Sequence, residues 1–116
     1  MEYKKILVEL FAYFPDLQDE YDQNEYIQDL PHCVFDMIFV SAIKLYISKS
    51  ENERLWKVGE FLELMASSSD IQVKELLNVS VLEPLVLDGK ALIQSVSPYL
   101  GIETLQNLSY WEERYS

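Results

Sequence analysis

Apolar residues recur along this chain three and four positions apart and scarcely anywhere alternate with polar ones, so the spacing predicts helices packed on helices. Only Gly59, Gly89 and Gly101 offer glycine breaks. Ile6, Leu7, Leu10, Phe11 and Phe14 form the first stripe, which places a helix over residues 3–14. Pro15 ends it, because the residue before a proline resists the α conformation. A second helix is expected from 29–31, where aspartate can cap and proline suits the first turn, to about residue 47. It is apolar nearly all round and is therefore expected at the centre, with Asp36 in need of a partner.

Ser50-Glu51-Asn52-Glu53 and Ser69-Asp70-Ile71-Gln72 both have the form of a capping box and predict two further helix starts. The third helix carries Leu55, Val58, Phe61, Leu62 and Met65 and ends in Ala66-Ser67-Ser68-Ser69. A fourth runs through Val73, Leu76, Leu77, Val81 and Leu82 toward Pro84, which is expected to end or kink it near Glu83. After the turn Leu87-Asp88-Gly89, a fifth occupies 90–96 and reaches toward 100, and Gly101 separates it from a last helix over 102–113. Short links make antiparallel neighbours. The expected fold is all-α: a compact bundle of five to six helices with stacked antiparallel α-hairpins in the second half. At 116 residues and 13.6 kDa the chain fits one domain, 1–116.

Charge is distributed very unevenly. Between Ile6 and Ile43 lie Glu9, Asp16, Asp19, Glu20, Asp22, Glu25, Asp29 and Asp36 and no Lys or Arg, within a chain of net charge −11. Such a balance repels phosphate backbones and anionic membranes, so neither nucleic acid nor membrane is expected as a direct partner. The connection between the first two helices concentrates the acid. Asp16, Asp19, Glu20, Tyr21, Asp22, Glu25, Tyr26 and Asp29 are the candidate contact residues for a basic protein partner: the carboxylates steer it and the tyrosines supply flat amphipathic area. The competing reading is a solvated loop that keeps the protein soluble. An ordinary solvating surface mixes signs, whereas this one repels itself unless a cation arrives.

Other functions find little support. The single cysteine, Cys33, allows no intrachain disulfide and points to a reducing compartment, so a cytoplasmic location is expected. The apolar start is interrupted by Glu9 and lacks a small-residue cleavage site. The apolar window 30–47 holds Asp36 and Lys44, as a buried core helix can and a membrane span rarely does. The only histidine, His32, adjoins Cys33, and adjacent residues on a helix diverge, which argues against zinc. The acidic segment lacks the glycine that a calcium loop requires. With no nucleophile elbow and no phosphate loop, no catalytic residue, metal or cofactor is expected. Trp56, Tyr110, Trp111 and Tyr115 are expected to dock helices.

Four segments carry a resemblance: Phe61-Leu62-Glu63-Leu64-Met65-Ala66, Ser68-Ser69-Asp70, Val81-Leu82-Glu83-Pro84-Leu85 and Tyr99-Leu100-Gly101-Ile102-Glu103-Thr104. With the apolar helix after Pro31, they resemble a family of small, acidic, all-α bacterial proteins of uncharacterised function. That family supplies no catalytic residues to carry over. In size, acidity and helical character it is similar to immunity proteins of bacterial toxin systems, a likeness of analogy. The resulting expectation is an immunity-type protein that binds and neutralises a basic toxin domain, such as a nuclease, with its carboxylates standing in for phosphates. The alternative is a non-catalytic helical adaptor or structural protein that binds a host protein through Trp56 or Trp111.

Overall fold

In the computed structural model, which describes residues 1–116, these periodicities fold as seven helices and no strand. α1 (Ile6–Tyr13) follows a 3-10 turn at Tyr3–Lys5. α2 (Gln18–Asp22) is a short helix between 3-10 turns at Pro15–Leu17 and Glu25–Ile27. α3 (Pro31–Ser48) and α4 (Asn52–Ala66) follow. α5 covers residues 71–87, α6 is Lys90–Val96 with a 3-10 turn at Ser97–Tyr99, and α7 is Ile102–Arg114.

The core begins where α1, α3 and α4 meet. Phe14, Phe35, Phe39 and Phe61 are fully buried there, with ring centroids 5.2 to 6.3 Å apart and several pairs edge to face. Such pairs add about 0.5–1.5 kcal/mol each beyond the area they bury. One continuous cluster of 30 buried apolar residues extends from them through every helix. The radius of gyration, 13.2 Å, is that of one packed domain of this length, about 13 Å.

Packing departs from the expected hairpins in the second half. α4 lies on α3 and on α5 as neighbours joined by short links should, whereas α7 packs more on α4 and α5 than on α6. The cause is the extended link at Leu100 and Gly101, with ψ of 145° and 174°, which carries the chain across α4 before α7 starts.

Both long helices contain one π turn, and the two turns touch. In α3 it spans Phe35–Phe39 and keeps Phe35, Phe39, Val40 and Ile43 in the core. Contrary to expectation α3 is not apolar all round: Cys33, Asp36, Met37, Lys44 and Leu45 face solvent, so Asp36 needs no partner. By length and a mean hydropathy of 1.2, α3 alone could cross a membrane; 44% of it is buried inside the fold. In α5 the π turn at Asn78–Leu82 precedes Pro84, and the Glu83 amide donates to the Asn78 carbonyl. That wider turn accommodates the amide proline lacks, so of the two expected outcomes near Glu83, an end or a kink, the helix does not end but passes through an irregular turn and continues to Leu87.

Neither capping box forms as the sequence suggests. Ser50 lies at φ 54°, and its amide bonds the Ile47 carbonyl while that of Glu51 bonds Tyr46, so it closes α3 as a left-handed C-terminal cap. Its hydroxyl caps nothing in α4. In the second box Asp70, not Ser69, caps α5: one carboxylate oxygen accepts from the Gln72 amide at 3.0 Å and the other from the Tyr3 amide at 2.9 Å. Those bonds hold the Asp70 carboxyl below its usual value, the Tyr3 amide first among them.

Candidate functional site

Pro15 stops α1 and sends the chain through residues 15–30 as a string of short turns fixed from below. Leu17, Tyr21 and Ile27 are buried, and the spacing of Leu17 and Tyr21 is one α-helical turn, which turns Asp19, Glu20 and Asp22 outward. Tyr21 is only 9% exposed. Its ring lies 4.9 Å from that of Phe11, and its hydroxyl accepts the Asp29 amide at 3.0 Å. Gln28 Nε2 donates to the carbonyls of Tyr21 and Asn24 at 2.7 and 3.0 Å, which ties the segment to itself. Asp29 ends it at φ 58°, a left-handed conformation that aspartate tolerates.

Two of the expected contact residues are therefore already engaged by the fold, Tyr21 by burial and Asp16, though exposed, by its partners. Tyr21 is a buried anchor that offers little surface to a partner, because its ring packs on Phe11 and holds α2 on α1. Asp16 is engaged: it accepts from the Tyr46 hydroxyl at 2.7 Å and forms an ion pair with Arg54, which also stands 5.4 Å over the Tyr46 ring and 3.7 Å from Glu51. Burial, and then the bond to Asp16, push the Tyr46 phenol well above its ordinary value, with Arg54 opposing in part. The bond to Tyr46 in turn raises Arg54. This cluster latches the acidic segment onto α3 and α4.

The other six residues are exposed: Asp19, Glu20, Asp22, Glu25, Tyr26 and Asp29. Tyr26 is 91% exposed. Glu20, Glu25 and Tyr26, with Gln23 and Asn24, line a shallow groove of about 470 Å³. The ion pairs of the molecule are Lys5–Glu2, Lys44–Asp88, Arg54–Asp16 and Arg54–Glu51, so none neutralises the five exposed carboxylates of this segment. Asp22 has only the neutral amide of Gln18, at 2.9 Å.

Sequence reasoning missed the apolar ground beside this face. Leu7, Val8, Phe11 and Ala12 of α1 line a depression of about 450 Å³ that reaches Asp29, and Val8 is 74% exposed. The available signal was that α1 is apolar on more than one stripe. The exposed carboxylates of the segment thus flank an open apolar patch.

Elsewhere, polar chemistry is absorbed by the fold. His32 Nδ1 is 2.6 Å from the Oγ of buried Ser80. Cys33 is exposed and lies on the solvent side of α3, not in the core. No three His, Cys, Asp or Glu side chains converge as metal ligands. Trp111 donates to Asn78 at 3.1 Å and stacks on Tyr115, as a docking helix would.

No curated protein and no solved structure matches the chain significantly. A family model matches residues 7–116, which is nearly the whole domain described above. The chain belongs to that family, whose description is "Domain of unknown function (DUF7674)".

Proposed function

We propose that this protein is a binding module of the immunity type, which neutralises a basic toxin domain, such as a nuclease, by covering its active cleft with the face built from α2 and the turn after it. The observation that carries this reading is that Asp19, Glu20, Asp22, Glu25 and Asp29 are exposed together, with no internal cation, beside the open ring of Tyr26. A cation-lined cleft built for phosphate presents the complementary field. Charge of this kind raises the association rate and selects the partner, while Tyr26 and the patch around Val8 supply area. The proposed action is occlusion without catalysis.

Co-expression tests it. A toxic basic domain encoded beside this chain should be tolerated in its presence, and tolerance should be lost with Asp19→Lys, Glu20→Lys and Asp22→Lys combined. Full protection by that triple variant contradicts the reading. A second reading, a helical adaptor, is favoured by the exposure of Trp56, and salt-insensitive binding abolished by Trp56→Ala would select it.

A further inference from the structure

A groove of about 560 Å³ runs between α4 and the turn at Ser97–Tyr99, walled by Trp56, Leu64 and Tyr99 and floored by Gly59 and Gly101. It shares no residue with the acidic face around α2. Two glycines let the turn close on α4: a Cβ on Gly59 would stand 1.8 Å from the Tyr99 carbonyl oxygen, and one on Gly101 would stand 2.5 Å from the Glu63 carboxylate. Trp56 is 57% exposed, yet its ring is fixed edge to face against Tyr99 at 4.8 Å and 73°. An indole held rigid and open to solvent offers its negative π face at little entropic cost.

Both charged residues lining the groove are carboxylates, Glu60 and Glu63. Glu63 is occupied by the first amides of α7. Glu60 has no ion-pair partner and one long hydrogen bond, accepted from the Tyr13 hydroxyl at 3.3 Å. An exposed aromatic face beside one carboxylate without an ion pair favours guanidinium over ammonium, because the planar group stacks and also bonds carboxylate in bidentate fashion.

We propose that this groove binds an arginine side chain of a basic polypeptide, with the guanidinium over Trp56 and paired to Glu60, and a neighbouring apolar side chain against Leu64. The chain has two tryptophans, and Trp111 donates its indole N–H internally, which makes it a built-in reference in a proton–nitrogen NMR titration of the full chain. The probe is N-acetyl-Arg-Leu-Arg amide, and the control is the same peptide with citrulline replacing arginine. The expected result is a saturable shift of the Trp56 indole and the Gly59 and Gly101 amides. Binding should be about ten-fold weaker for the citrulline peptide, and weaker by a similar factor in Glu60→Gln, an exposed substitution that leaves the fold intact. Equal binding of the two peptides, shifts confined to the amides of Asp19 to Glu25, or no shift at millimolar peptide would each overturn the proposal.

Discussion

Glu63 Oε1 accepts two hydrogen bonds from Thr104, from its backbone N–H at 2.9 Å and from its hydroxyl at 2.8 Å, so a side chain of α4 caps α7. Oε2 adds the Glu103 amide at 3.1 Å. Burial alone would raise this carboxyl, but the bonds from Thr104 and Glu103 outweigh it and hold Glu63 below its ordinary value. Glu63→Ala is expected to destabilise the protein by about 2 kcal/mol in urea unfolding, since it removes a cap and leaves buried Thr104 unsatisfied.

The same carboxylate sets a pH dependence. Because its folded value lies below the ordinary 4.5, its contribution is complete above that value and is lost as pH falls through the lowered folded value. Glu63→Gln should therefore be less stable than the parent at neutral pH, with the gap narrowing in acid. A gap that widens on acidification would mean that the carboxylate is not the group bound by α7.

Gly59 and Gly101 should differ in tolerance. Gly59→Ala sets a methyl against backbone and is expected to cost about 3 kcal/mol, whereas at Gly101 the methyl displaces the Glu63 carboxylate from its cap on α7 and costs about 2 kcal/mol. Thermal melts of the two variants should be separated by several degrees.

Ser50 tests how α3 ends. If it occupies a left-handed cap, Ser50→Gly stabilises by about 1 kcal/mol. Had it been the start of a capping box, the same change would be neutral or destabilising. Equilibrium unfolding decides between them.

These residues also show what was legible in the sequence. Periodicity located every long helix, because burial of a stripe is written in the spacing of Phe35, Phe39, Val58, Phe61 and Leu62. Caps were harder: Ser50 fits a box by type, but the bond depends on backbone angles set by the previous helix. The Tyr99 to Thr104 segment was singled out without its reason, since Glu63 and Thr104 are 41 residues apart and meet only in three dimensions. That the acidic segment links the first two long helices was legible, but which of its residues the fold engages was not, because nothing near Asp16 in sequence announces Arg54 or Tyr46, and nothing near Tyr21 announces Phe11.

That division separates two kinds of variant. Tyr46→Phe and Asp16→Asn should each lower stability by about 1–2 kcal/mol and speed hydrogen exchange of the amides between Gln18 and Asp29, because the latch on α3 and α4 is lost. Charge reversal at Asp19, Glu20 and Asp22 should not lower stability, since no cation of this chain pairs with them and the change relieves their mutual repulsion.

The most direct test of the central claim is stopped-flow association of the full chain with its basic partner domain across salt concentrations. The account predicts that the triple variant Asp19→Lys, Glu20→Lys and Asp22→Lys associates about ten-fold more slowly at low ionic strength, that the difference fades at high salt, and that Asp16→Asn associates at the parental rate. Equal rates for parent and triple variant at low salt would contradict it.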